Sequence, residues 1–356
     1  MPERAACPLR VLWPQARRIA ARLAGEVPGL EIDVHAAAEW GEAPGKLDAA
    51  RDAVGRADIV VCGLLFLDEH VQAILPALLA RRDRCDAMVG MVSDPAVVKA
   101  TRMGDLDMTA PSSAAMQLMK KLRGFKAPSE RSGERQMKML RRLPKLLKFV
   151  PGKAQDLRAW FLSMQYWLGG SDDNFEGLVR MLLHRYGPGT AEGTAPVEYP
   201  ETALYHPDTG IVTDPALLPA GDGPVVGLLL MRSYVLAGDA AHYDAVIRAF
   251  EARGVTVRAV FAHGLDARPA IDAYLADGRI DALVSLCGFS LVGGPAYNDS
   301  PAAIEALTAL DVPYLSAHPL EFQTLGQWGA SEQGLGPVET TMLIALPEID
   351  GATNPT

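Results

Sequence analysis

Three short stretches concentrate the side chains able to do chemistry in this sequence. The first, 231–242 (MRSYVLAGDAAH), carries Arg232, Ser233, Tyr234, Asp239 and His242. The second, 288–299 (GFSLVGGPAYND), sets Ser290, Tyr297, Asn298 and Asp299 around Gly293-Gly294. The third, just past the apolar run PYLSA, offers His318, Glu321 and Gln323. Each follows a stretch that reads as a strand. The carboxyl ends of parallel strands in one sheet face the same way, so the three groups are expected at one edge. Arg232 is costly to bury unpaired and should meet a carboxylate, from a ligand or from Asp239 or Asp244. Gly293-Gly294 permits close backbone approach to a ligand, with free N–H groups at a helix start. A tight strand-to-helix connection needs glycine as well, and both readings stand. His242 and His318 suit acid/base or metal work, or equally a histidine hydrogen-bonded within the fold. The sequence holds no HExxH, GxSxG or GxxxxGK[ST], so no dedicated metal centre, serine nucleophile or P-loop is expected. The chemistry is that of a polar binding cleft.

The elements that must position these residues alternate. In the first half, PLRVLW (8–13) reads as a strand running straight into a helix, and LEIDVHAAAEW (30–40) alternates as a strand does. A helix at 47–57, a strand at 57–66, a helix near 69–82 and a strand at 85–92 follow. No glycine-rich phosphate fingerprint follows the first strand, so no nucleotide is placed at that end. Beyond Asp94-Pro95, 95–103 and 112–124 read as helices. Two more are expected within 156–187, broken at Gly169-Gly170 and capped by Ser171 or Asp172. Trp160, Phe161, Met164, Tyr166 and Trp167 lie on them, as a flat cofactor wall or, by their helical spacing, as core.

In the second half, strands are expected at 223–233, 255–264, 281–290, 312–319 and 340–350, with helices at 240–254, 270–276 and 300–310. Strands alternating with helices imply parallel sheets with covered faces. The fold class is therefore α/β: two Rossmann-like or flavodoxin-like parallel-sheet domains with an inserted helical, basic segment. The expected boundaries are 1–190 for the first domain (its helical, basic segment at about 95–187), 191–222 for a Gly/Pro/Thr-rich linker and 223–356 for the second domain.

Composition narrows the class further. A chain of 356 residues, 49% hydrophobic and 22% charged, is ordinary for a folded two-domain protein. Its net charge of −9 argues against broad nucleic-acid binding. The exception is 120–153, dense in Lys and Arg and mixed with Leu, Phe and Val. It reads as a patch for a membrane surface, an acidic partner or an anionic ligand, or as a solvated hairpin, and Pro144 and Pro151 favour the hairpin. Four cysteines without CxxC spacing fit a reduced compartment, with Cys62 and Cys287 as small apolar residues. With no secretory or membrane-spanning stretch, the expected location is cytoplasmic.

The motifs in order carry a resemblance. MRSYVLAGDAAHYDAVIRAFEARG, FAHGLDARPAID, DALVSLCGFSLVGGPAYND, PYLSAHPLEFQTLGQW and PVETTMLIALPEIDGA closely resemble the family of large (H) subunits of magnesium chelatase. The cobaltochelatase large subunit is a more distant likeness. ADIVVCGLLFLDEHVQAILPAL, CDAMVGMVSDPAVVKATRMGDLDM and AWFLSMQYWLGGSDDNFEGLVRMLL extend the resemblance over essentially the whole chain. It implies a protein that holds protoporphyrin IX for Mg²⁺ insertion in chlorophyll or bacteriochlorophyll synthesis. Partner subunits, of the AAA+ class and integrin-like, would hydrolyse ATP, and no covalent cofactor is implied. Arg232, Ser233, Gly238, His242, Gly288, Gly293, Gly294 and Gln323 match family-typical positions. The family is several times longer, and its loop after the first strand is fuller than here. The chain is thus expected to be an amino-terminal portion, or a reduced relative, incomplete for metal insertion by itself. Besides a share in the porphyrin cleft, two roles compete: a non-catalytic docking module for partner subunits, and an independent small-ligand-binding α/β protein.

Overall fold

The computed structural model describes residues 12–40, 45–109, 144, 146–152, 154–187, 193–276, 280–294, 297–317, 319–320 and 325–353. The chain forms two compact units, Leu12–Glu198 and Tyr199–Thr356. Both are α/β.

In the first unit, helices Leu12–Glu26 and Lys46–Arg56 precede β1 (Ile59–Gly63), helix Asp68–Arg81 and β2 (Ala87–Met91). A one-turn helix, Pro95–Lys99, starts where Asp94 accepts the Ala96 N–H at 2.7 Å and Pro95 takes the first helical position. β3 (Arg102–Met103) and β4 (Leu106–Asp107) complete a sheet in the order β1-β2-β3-β4. Only β1 and β2 run parallel, so this sheet is mixed rather than wholly parallel. One expected strand is corrected, and of another only the end is described. Leu12 and Trp13 open a helix, while 8–11 lie outside the described residues. Residues 30–35 alternate half-buried and exposed as a strand would, yet they join no sheet, and Ala37–Glu39 turns as a 3₁₀ helix. Alternation is necessary for a half-buried strand, but a ladder needs a neighbour with free backbone groups. Likewise Arg102 and Met103, read as the end of a helix, pair in the sheet instead.

Helices Ala154–Gly169 and Asp172–Tyr186 break at Gly169-Gly170, and Ser171 caps the second by accepting the Asn174 N–H at 3.2 Å. Their aromatic residues are core. Trp160, Phe161 and Tyr166 are fully buried, and the Trp160 indole N–H donates to the Gly90 carbonyl on β2 at 3.1 Å. The expected helix at 112–124 and most of the basic stretch 120–153 lie outside the described residues. Of the latter, Leu146 and Phe149 are exposed.

The second unit holds six strands in the order β12-β9-β7-β8-β5-β6. In chain order they are β5 (Thr202–His206), β6 (Gly210–Val212), β7 (Val225–Met231), β8 (Thr256–Ala262), β9 (Ala282–Ser285) and, after a small β10–β11 hairpin, β12 (Tyr314–Ser316). The hairpin pairs β10 (Gly293–Gly294) with β11 (Tyr297–Asn298). β7, β8, β9 and β12 are mutually parallel, and β5 and β6 add an antiparallel margin beyond β8. The β5–β6 pair lies inside the stretch read as linker. The uninterrupted apolar run VVGLLLM explains why β7 is central: it is buried on both faces, as only a strand covered by helices on each side can be. Each fully buried Leu there contributes about 1.5–3 kcal/mol.

The expected strand at 340–350 is a helix. Thr340–Ala345 has π-helical i→i+5 bonding and Leu346–Ile349 continues as α-helix. A short apolar run does not distinguish a buried strand from a buried helix segment, and among the described residues it is Thr353 that pairs at the edge beside β12.

Candidate functional site at the carboxyl ends of β7, β9 and β12

β7 leads through its helix to β8 on one side, whereas β9 leads to β12 on the other. Connections from adjacent strands that depart in opposite directions open a crevice between them, and in open α/β sheets ligands bind there. By that rule the place for a ligand is between the carboxyl ends of β7 and β9, where Met231–Ser233 and the turn that starts at Leu286 leave the sheet.

On the β7 side, Arg232 opens a five-residue helix, Arg232–Leu236. Its guanidinium donates from Nε to the Pro200 carbonyl at 3.2 Å and from Nη2 to the Tyr199 carbonyl at 3.4 Å. Two backbone carbonyls thus contact the cation that was expected to meet a carboxylate from a ligand or from Asp239 or Asp244, and Asp244 accepts the Tyr205 hydroxyl at 2.8 Å. Ser233 is exposed at the rim. Tyr234 is not at the rim: it is buried in the core, edge-on to His242 and Tyr243. Tyr243 closes the strand end, its hydroxyl accepting the Met231 N–H at 3.1 Å.

His242 sits in the first turn of helix Ala241–Glu251, its ring 3.9 Å from that of Tyr243. Its Nε2 is buried and finds no hydrogen-bond partner among the described residues. The reading of His242 as a hydrogen-bonded histidine therefore does not hold at this nitrogen. Burial holds the imidazole below its usual pKa, against the opposing pull of Asp239 and Asp244. Wedged between aromatic rings, it is a packed ring with a spare acceptor or donor.

On the β9 side, Ser290 is buried and its hydroxyl donates to Asp350 Oδ2 at 2.6 Å. The Leu291 N–H donates to the same oxygen at 2.8 Å. Gly293 takes φ +125°, a conformation that L side chains rarely adopt, and its N–H donates to the Leu265 carbonyl at 2.8 Å. Asp299 caps the following helix by accepting the Ala302 N–H at 3.1 Å. Asn298 is half-buried, and its Oδ1 has no partner among the described residues. Gly294 and Tyr297 pair through their backbones in the β10–β11 hairpin. His318 and Gln323 fall outside the described residues, as does Glu321.

Sequence reasoning missed the buried polar cluster behind this turn. Ser285, Tyr314, Ser316 and Asp350 are all nine-tenths or more buried. Ser285 and Ser316 are register partners on adjacent strands, and Tyr314 precedes Ser316 by two residues on the same face. Tyr314 Oη, Ser316 Oγ and Asp350 Oδ1 lack partners among the described residues. Burial raises the Tyr314 phenol, Ser285 opposes, and Cys287 and Asp350 add to the rise. The one available signal was the alternation of polar residues in PYLSA, read simply as strand.

A second missed group lies away from the crevice. His206 is buried and shares 2.8 Å with Glu251 through Nε2, while its Nδ1 accepts the Asp208 N–H. Nδ1 is therefore the acceptor and Nε2 carries the proton. No group of three or more His, Cys, Asp or Glu suited to a metal ion occurs among the described residues. None of their helices is long and apolar enough to cross a membrane.

Comparison with known proteins places this geometry in a family. Residues 164–356 match the family model described as CobN/Magnesium Chelatase, and 11–161 match a domain of unknown function, DUF3479. The magnesium-chelatase H subunit of Cereibacter sphaeroides is 64% identical over 352 residues, covering 96% of this chain and 30% of that protein. That of Rhodobacter capsulatus is 63% identical over 349 residues, covering 96% and 29%. Among solved structures, the catalytic subunit of cobaltochelatase from Mycobacterium tuberculosis matches with a TM-score of 0.50 at 20% identity, over 96% of this chain and 23% of that one. This last likeness is one of fold. The chain spans about three tenths of the length of its curated relatives. With more than half of its residues inside the family model, the chain belongs to the CobN/magnesium chelatase family.

Proposed function

We propose that this chain supplies part of the protoporphyrin IX site of a magnesium chelatase, in the manner of the H subunits it resembles, for Mg²⁺ insertion in chlorophyll or bacteriochlorophyll synthesis. The observation that carries this reading is the 64% identity to a magnesium-chelatase H subunit across 96% of the chain. The crevice between β7 and β9 supports it chemically. A porphyrin presents a broad apolar face and anionic propionates, so its site needs apolar walls with a cation at the rim. Arg232, already braced by two carbonyls, is suited to the propionate end. Gly293, Gly294, Tyr297 and Asn298, on the turn and hairpin after β9, would face the ligand from the other side, with Ser290 buried behind the turn and His242 packed against Tyr234 and Tyr243. ATP hydrolysis belongs to partner subunits of the AAA+ and integrin-like kinds.

The test is a titration of the chain with protoporphyrin IX, followed by porphyrin absorbance and quenching of the five tryptophans. Saturable binding at micromolar or tighter concentration is expected. Absence of binding by a chain that is folded by circular dichroism overturns the reading. A second role, docking of partner subunits, is favoured by the exposure of Leu146 and Phe149 within the basic stretch. Its mark would be partner binding that weakens steeply with salt and ignores porphyrin.

A further inference from the structure

The carboxylate of Asp350 reaches into the end of the sheet from an unusual piece of backbone. The helix leading to it starts at Pro337 and passes through the π-helical segment Thr340–Ala345, a form found mostly as single turns and frequently at functional sites. Gly351 then takes φ +101°, which turns the chain back so that Thr353 can pair with β12. The Thr353 N–H donates to the Tyr314 carbonyl at 3.0 Å, and the Ser316 N–H donates to the Thr353 carbonyl at 3.0 Å. Asp350 is thereby anchored from the β12 side.

From there, one oxygen, Oδ2, accepts both the Ser290 hydroxyl and the Leu291 N–H. The same turn is held from the other side by the loop after β8. The Ala267 N–H donates to the Leu291 carbonyl at 2.9 Å, and the Gly293 N–H donates to the Leu265 carbonyl at 2.8 Å. The second oxygen, Oδ1, finds no partner among the described residues. A buried carboxylate with one bare oxygen is a poor stabilising device, because an apolar residue of similar volume would avoid the desolvation penalty altogether. What Asp350 uniquely provides is direction. Two donors converging on one oxygen fix the Ser290–Leu291 peptide plane, two residues ahead of Gly293.

We propose that Asp350 is a positioning residue, setting the Ser290–Gly294 turn at the mouth of the β7–β9 crevice in the conformation that receives ligand. This rests on reading that turn as part of the porphyrin site. Asp350→Asn is the conservative variant: its carbonyl oxygen can replace Oδ2 as the acceptor of both donors. Asp350→Leu keeps the branched outline, with bulkier methyl groups in place of the oxygens, and removes the acceptor.

The experiment compares wild type, Asp350→Leu, Asp350→Asn and Ser290→Ala by hydrogen–deuterium exchange, thermal melting and titration with protoporphyrin IX. In Asp350→Leu, the amides of Ala267, Leu291 and Gly293 should exchange about tenfold faster or more, with those of β7 unchanged. Porphyrin affinity should fall by a similar factor while the melting temperature holds. Asp350→Asn should restore both, and Ser290→Ala should speed exchange at Leu291 severalfold. Unchanged exchange at the turn in Asp350→Leu overturns the proposal, as does an even loss of protection through β7 and β8. Should Asp350→Leu fail to fold, unchanged exchange in Ser290→Ala overturns it, and faster exchange confined to the turn supports it. If wild type takes up no porphyrin, the proposed function fails, while the exchange comparison still decides the role of Asp350.

Discussion

The two units end their parallel strands in opposite ways. In the first, the carboxyl ends of β1 and β2 are sewn to each other: the Leu64 N–H donates to the Val92 carbonyl at 2.9 Å, the Asp94 N–H to the Leu65 carbonyl at 2.7 Å, and the Leu65 N–H to Ser93 Oγ at 3.1 Å. Leu64 and Val92 are both held at positive φ, 58° and 45°, a strain that persists only where surrounding contacts enforce it. The Trp167 indole lies over Gly63, where any side chain would collide with it. In the second unit, the ends of β7, β9 and β12 keep buried polar atoms without partners among the described residues, at Tyr314, Ser316, Asp350 and His242. One architecture thus yields a sealed end and an end with hydrogen-bonding capacity in reserve. Unspent polar groups in a core are destabilising, so where they gather is where function is to be sought.

Four experiments would break or sharpen that contrast. The largest effect is expected from Trp160→Ala, which opens a cavity in the first unit and leaves the Gly90 carbonyl with the Thr101 hydroxyl but without the indole N–H. It should lower stability by about 3–5 kcal/mol, read from the urea midpoint, and a loss well under that range would mean the sealed end is loosely packed. Next is Gly293→Ala. Forcing an alanine to φ +125° should cost about 1–3 kcal/mol locally and weaken porphyrin binding more than it lowers the melting temperature. Equal binding would remove the turn from the site. Arg232→Ala should then weaken porphyrin binding about tenfold, the value of one charge-assisted contact, with little change in the unfolding midpoint. Equal unfolding midpoints together with unchanged affinity would sink its role.

The smallest effect concerns pH. Because the folded-state pKa of His242 is depressed, mainly by burial, the unfolded chain binds its proton first as pH falls. The stability linked to this ring is complete above its unfolded pKa of about 6.5 and is lost as pH drops from there through the folded value. His242→Phe should flatten that part of the melting-temperature profile. The Glu251 carboxylate acts lower on the scale. Burial raises it, but hydrogen bonds from His206 and Arg248 outweigh that and leave it depressed, so its contribution is lost only below the ordinary carboxylate range. An unchanged slope between about pH 7 and 5 in His242→Phe would show that His242 is not the group responsible.

Much of this was legible in the chain, for identifiable reasons. Continuous apolar runs such as VVGLLLM admit few fates in an α/β unit, and Ser171 announces a helix start by local hydrogen bonding alone. The positions of Arg232, Ser290 and Gly293 at strand ends followed from the same logic. What misled was equally local. Residues 30–35 alternate without a partner strand, and 340–350 is apolar enough for a strand yet coils into a π- and α-helix. Tyr234 sits one residue past the rim and turns into the core, a consequence of helical phase.

The sequence by itself determined the α/β class, the central strands, the helix caps and the two strand-end turns, because each depends on residues adjacent in the chain. Only the tertiary structure decided the strand order that opens the crevice between β7 and β9, and the arrival of Asp350 beneath Ser290, sixty residues away. Periodicity records which face of an element is buried. It does not record which distant carboxylate that face will meet.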